Sequence, residues 1–151
     1  MDTIDKKILM LLQENAKQNT KEIANKIGLT VSPTFERIKK LEQKGYIKKY
    51  SAVLDRAKID KSIIVFCQIS LQTHSKELLE SFKKEISTIK EITGCHHMSG
   101  NYDFLLKIAV NDINEYQKFV VDKLSVVKGI SNVQSSFVIE EVLDGTVYDL
   151  A

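Results

Sequence analysis

Two groups of side chains in this sequence have the types and spacing to do chemistry. The first is Cys95-His96-His97, with Cys67 as a distant companion. Thiolate and imidazole are good metal ligands, but strand residues alternate faces, so only Cys95 and His97 converge and Cys67 would have to join them. Two cysteines without C-x-x-C spacing make no disulfide framework. Both are expected as buried thiols acting as small hydrophobes, with no metal site and no cofactor. The second group is Ser32, Thr34, Glu36, Arg37, Lys39 and Lys40, interleaved with Val31, Phe35, Ile38 and Leu41. That interleaving predicts an amphipathic helix whose polar face carries groups suited to phosphate oxygens and base edges. Catalytic order is missing: there is no Ser/His/Asp series, nucleophile elbow, phosphate loop or H-E-x-x-H, so no enzyme is expected.

The elements around the basic helix form a recognisable set. Ile4, Ile8, Leu11 and Leu12 make the stripe of a first helix capped by Asp2, and Asn19-Thr20-Lys21-Glu22 reads as a capping box opening a short second helix. Gly28 ends that helix, and Thr30 or Ser32 caps the third, with Pro33 in its first turn and Gly45 beyond its end. Tyr46 to Val53 is β-prone and reads as a wing. Together these describe a winged helix-turn-helix, hence double-stranded DNA as a partner. Charge agrees: residues 1–50 hold 11 Lys/Arg and 6 Asp/Glu, net +5, whereas the remainder carries net −3.

Beyond a polar connector at 54–60, the pattern changes. A β-branched strand over 63–71 is followed by a Ser75-capped helix with Leu78, Leu79, Phe82 and Ile86 on its apolar side. Strands at Ile92 to Met98 and Asp103 to Val110 flank a Ser99-Gly100-Asn101 turn, a helix follows Asp112, and a last strand runs from Ile130 to Val142. The order βαββαβ predicts a ferredoxin-like antiparallel sheet with both helices on one face, giving an α+β chain of three parts: 1–53, a linker at 54–60, and 61–151. Strands apolar at both parities, as in Ile63-Ile64-Val65-Phe66, call for a second copy to cover the other face. Neither the aromatic pattern of an RNA-binding module nor four iron-ligating cysteines occurs.

Composition bounds the rest. With 151 residues, 43% hydrophobic and 28% charged, six Gly and one Pro, the chain has the side chains for a real core, which excludes collagen-like and disordered classes. No run approaches about 18 apolar residues and no signal peptide opens the sequence, so no membrane partner and a cytoplasmic location are expected.

Gly28 to Glu42 followed by Gly45-Tyr46-Ile47, together with Ser99-Gly100-Asn101-Tyr102-Asp103-Phe104-Leu105-Leu106-Lys107, resembles the leucine-responsive/asparagine-metabolism (Lrp/AsnC) regulators. The resemblance implies a transcription factor that pairs through the wing-side strand and the sensor sheets. It also implies homodimers assembled into octamers, with a small amino acid bound between dimers. By the same resemblance Ser32, Thr34 and Arg37 meet the major groove, and Lys39, Lys40, Lys48 and Lys49 are phosphate contacts. Effector contacts would come from Gly100, Asn101, Tyr102 and Asp103 and from Gln134, Ser135 and Ser136. Gly100 would permit close backbone approach, Asp103 would accept from the ligand ammonium, and turn N–H groups would hold its carboxylate. Arg37 has an alternative use in an ion pair with Glu36 or Glu42, and Asp103 in stabilising its turn. An architectural DNA-binding protein without an effector is the alternative for the whole chain.

Overall fold

A computed structural model describes residues 1–143 and 147–150. The chain divides into two compact units, Met1–Val53 with Val142–Ala151, and Leu54–Glu141. Ala151, the last residue of the expected second domain, lies outside the described residues.

In the first unit, α1 (Thr3–Glu14) opens on a reciprocal capping box between Asp2 and Asp5, and α2 (Thr20–Ile27) on one between Asn19 and Glu22. Gly28, at φ 74°, takes the left-handed conformation that terminates α2 and turns the chain into α3 (Val31–Gln43). Thr30 is the residue before α3, though its side chain makes no capping bond. Ile8, Ile23 and Leu41 form the centre of the three-helix core, with Ile4, Leu12, Ile27, Ile38 and Ile47 around them.

The structure corrects the expected faces of α3. Val31 and Phe35 are about half exposed, while Thr34 is fully buried beside Ile38 and Leu41. The inward stripe is therefore Thr34, Ile38 and Leu41, at i, i+4 and i+7. A second correction concerns the wing: residues 46–53 form no strand, because no described segment offers them a ladder partner.

The second unit follows the order β1 (Ile63–Leu71), α4 (Lys76–Ile86), β2 (Ile92–His97), β3 (Phe104–Val110), α5 (Ile113–Lys118) and β4 (Ile130–Phe137). A π-helical stretch, Phe119–Leu124, prolongs α5. The sheet order is β2-β3-β1-β4 with every neighbouring pair antiparallel, the ferredoxin-like arrangement. Val65, Cys67, Ile69, Phe104, Leu106 and Ile108 pack against Phe82, Ile86, Phe119 and Leu124, so both helices cover one face. On the other face lie Ile64, Phe66 and Gln68 of β1, Leu105 and Lys107 of β3, and His96 of β2.

Three boundaries differ from the sequence reading. The last strand stops at Phe137 rather than Val142. Residues 54–60 belong to the second unit: Arg56–Ile59 is a 3-10 turn, and Arg56 pairs with Glu141, which also lies 3.6 Å from Lys107. Val142–Ala151 clusters with the first unit. Of the two thiols Cys67 is buried, but Cys95 is exposed near the sheet edge. Among the described residues no cluster of three metal-ligating groups occurs, and His97 stacks on Phe104 at 4.7 Å.

Gly129, at φ 83°, leads into β4, and a Cβ there would stand 2.4 Å from Leu78 Cδ1 on α4. Gly129→Ala is expected to cost about 2 kcal/mol through left-handed strain and overpacking, read as a lower urea midpoint with an unchanged slope. An unchanged midpoint would show that Leu78 gives way freely and that the backbone at 129 relaxes out of the left-handed region.

Candidate functional site

The outward face of α3 follows from what its inward face buries. With Thr34, Ile38 and Leu41 inside, Ser32, Glu36, Lys39 and Gln43 line the opposite side at helical spacing, and all four are exposed. Lys40, Lys48 and Lys49 are exposed as well. None of Lys39, Lys40, Lys48 or Lys49 has a carboxylate partner among the described residues, which leaves four cationic heads for a polyanion. Phe35, absent from the expected contact set, is 52% exposed on the flank of this face, where an aromatic ring can meet a thymine methyl. Tyr50 donates to Glu42 Oε1 at 2.8 Å. Partial burial, helped by that carboxylate, pushes the Tyr50 phenol up to about 12, so it remains a donor tying the segment after α3 back to the helix.

Two expected DNA contacts are placed differently. Thr34 donates its hydroxyl to the Thr30 carbonyl at 2.9 Å and has no exposed surface, so it serves the helix start and the core. Arg37 Nη1 donates to Asp2 Oδ2 and Asp5 Oδ1, each at 2.7 Å, neither of them the expected Glu36 or Glu42. The guanidinium therefore bridges α3 to the capping box of α1. The Asp5 backbone N–H, then Arg37, hold the Asp2 carboxyl below its usual range, and Asp2 and Asp5 in turn raise Arg37.

The loop from Met98 to Asp103 joins β2 to β3. Met98 N–H donates to the Asp103 carbonyl, and Asp103 N–H to the Ile69 carbonyl, both at 2.8 Å. The Asp103 carboxylate accepts from Leu71 N–H and from His74 Nε2, each at 2.7 Å. The Leu71 N–H is the main reason that this carboxyl sits below its usual range, with His74 adding to it. Asp103 thus locks its turn onto the end of β1, with both oxygens engaged inside the chain. Gly100 and Asn101 are exposed, Tyr102 is half-buried, and a Cβ at Gly100 would meet nothing within 4 Å.

On β4 the three expected contacts split between faces. Ser135 points to the helix side, where its hydroxyl shares a hydrogen bond with Tyr116 and lies 3.6 Å from Cys67 Sγ. Tyr116 also meets Cys67 Sγ at 3.1 Å, and burial pushes its phenol well up. Gln134 and Ser136 lie on the opposite face, beside Gln68 and Phe66 of β1. The pairing Gln134↔Gln68↔Leu105↔His96 makes one row across that face. It is one rung from Ile69↔Phe104, where the turn attaches. Gln68 stands in this row as a single polar residue in an otherwise apolar stretch, which carries no signal until its neighbours are known.

Family comparison divides the chain between the same two parts, except that the second match runs on through residues 142–148. A winged helix-turn-helix DNA-binding model matches residues 1–48, and the Lrp/AsnC ligand binding domain model matches residues 64–148. The leucine-responsive regulatory proteins of Klebsiella pneumoniae and Escherichia coli K12 are each 34% identical over 142 residues, 94% of this chain and 87% of theirs. Among solved structures, an AsnC family transcriptional regulator from Agrobacterium tumefaciens is 35% identical with a TM-score of 0.94, over 99% of this chain and 97% of that one. A transcriptional regulator of Neisseria meningitidis in complex with L-Met is 31% identical with a TM-score of 0.95, with the same coverage. With a helix-turn-helix in the first unit, a ferredoxin-like sheet in the second, and relatives that are regulators rather than enzymes, this chain belongs to the Lrp/AsnC family of transcriptional regulators.

Proposed function

We propose that the protein is a cytoplasmic one-component regulator that reads double-stranded DNA with the outward face of α3 and answers to a small amino acid held by its sensor sheet. The observation that carries the DNA reading is the outward row of Ser32 and Lys39, joined by Lys40, Lys48 and Lys49, with no internal carboxylate to neutralise the lysines among the described residues. These residues, with Phe35, replace the expected set that included Thr34. Arg37 ties α3 to the start of α1 through Asp2 and Asp5 instead of reading a base. Among the described residues no helix is long and apolar enough to cross a membrane.

Assembly is supported by apolar side chains left in water by one copy. Ile139 is fully exposed, and Val53, Val142 and Leu143 are each more than four-fifths exposed. A second copy would bury them together with the open sheet face, making a homodimer the building block and an octamer of four dimers its larger form. Half-sites for such a dimer would lie about 34 Å apart, or at multiples of that, along one face of the duplex.

For the effector, support comes from the matched ligand-binding domain and from the neighbour complexed with L-Met. Gly100, Asn101 and Tyr102 would offer backbone groups to the ligand, and Gln134 and Ser136 side-chain polarity. One observation favours the architectural alternative: the Asp103 carboxylate is already engaged by Leu71 and His74, which removes the expected ammonium acceptor. Titration calorimetry with the twenty amino acids, alongside light scattering, separates the two readings. One amino acid binding at millimolar concentration or below, weakened about fivefold by Gln134→Ala, is expected. Twenty flat titrations would leave the architectural reading.

The DNA face has its own test. Lys39→Ala is expected to leave folding intact and reduce the salt slope of DNA binding by about 0.9, the share of one phosphate contact. Arg37→Ala is expected to lower the thermal midpoint while leaving discrimination between operator and mutant operators unchanged. Loss of discrimination in a folded Arg37→Ala protein would return Arg37 to the major groove.

A further inference from the structure

Tyr148 is joined to α1 by a pattern that chance contacts do not make. The Gln13 side-chain amide donates from Nε2 to the Tyr148 carbonyl at 3.0 Å, and its Oε1 accepts from the Tyr148 N–H at 2.8 Å. One side chain thus satisfies both backbone groups of a single residue 135 positions away, as a neighbouring strand would. The contact lies in a groove of about 800 Å³ lined by Leu9, Leu12 and Ala16 on one side, by Tyr46 and Tyr50 on another, and by Leu150. Its lining mixes these apolar and aromatic groups with polar ones, Glu14, Lys48 and Lys49 among them, and Tyr46 and Tyr50 are about half exposed. Tyr148 and Leu150 of the segment Val147-Tyr148-Asp149-Leu150 form one wall of this groove, facing α1 across it.

We propose that this groove is the built seat of the chain's own C-terminal segment, so that residues 147–150 are a working part of the DNA-binding unit and hold the C-terminal turns of α1. The assignment is independent of the effector reading. It treats Gln13 as a positioning residue; both bonds to Tyr148 come from Gln13 alone, while Lys48 and Lys49, proposed to meet DNA, line the same groove.

Hydrogen exchange on the full-length protein tests the seat. The Tyr148 amide is expected to exchange at least about tenfold more slowly than in a free peptide of the same segment. Gln13→Leu keeps the bulk and removes both bonds, and should abolish that protection and loosen amides at Leu11 to Asn15 without affecting β1 or β3. Tyr148→Pro, which deletes the N–H together with the phenol ring, should loosen the same α1 amides. An unprotected Tyr148 in the parent protein, or protection that survives Gln13→Leu, overturns the proposal. To identify the occupant, Ala16→Cys and Leu150→Cys are combined in a Cys95→Ser background and joined with a bifunctional thiol reagent. A product of monomer mass supports the seat as assigned; a covalent dimer shows that a second copy's segment fills it, and no product shows that nothing does.

Discussion

The rotation of α3 about its own axis decides what the first unit can present, and the burial of Thr34 fixes that rotation. A hydroxyl has no place in a small apolar core unless it is satisfied, and here the Thr30 carbonyl one turn earlier satisfies it. With Thr34 inside, Ile38 and Leu41 follow, and Ser32, Lys39 and Gln43 are turned to solvent as a geometric consequence. Arg37 lies at the edge of the inward stripe, where its guanidinium reaches the two carboxylates at the start of α1. The helix is thus held from below by packing and from the side by a charge-assisted bridge, and the face left over carries Ser32, Glu36, Lys39 and Gln43.

In the second unit β1 has the corresponding role. It is paired on both edges and apolar on both faces, and its far end anchors the β2–β3 loop through Ile69 and Leu71. Anything that shifts that loop must act on the central strand. Ser135, Tyr116 and Cys67 form a short polar chain from the β4 edge into the helix-covered core. This gives α5 a directional contact with the sheet in addition to packing.

Much of the architecture was legible in the sequence because its signals are local. Capping residues, Gly28 and the βαββαβ order each depend on a few adjacent side chains. What was not legible depends on distant partners. Val31 and Phe35 fit a helical apolar stripe as well as Thr34 fits a polar one, and only the position of α1 and α2 decides between them. Arg37 has carboxylates beside it in sequence, at Glu36 and Glu42, yet pairs with two that lie more than thirty residues away. The segment 46–53 has strand composition without a ladder partner, and composition alone does not supply one. Asp103 looked available because Leu71 and His74, which engage it, are remote in the chain.

The Gln13–Tyr148 pairing also orders events during synthesis. Translation delivers α1, α2 and α3 first, and their core of Ile8, Ile23 and Leu41, with Ile47 packed against it, is complete once residue 47 has emerged. The Gln13 amide, by contrast, waits for its partner until every strand of the sheet has left the ribosome. A chain stalled or clipped inside the second unit would therefore carry a helix-turn-helix without the Gln13–Tyr148 pairing on its first helix. That distinguishes a nascent fragment from the finished regulator.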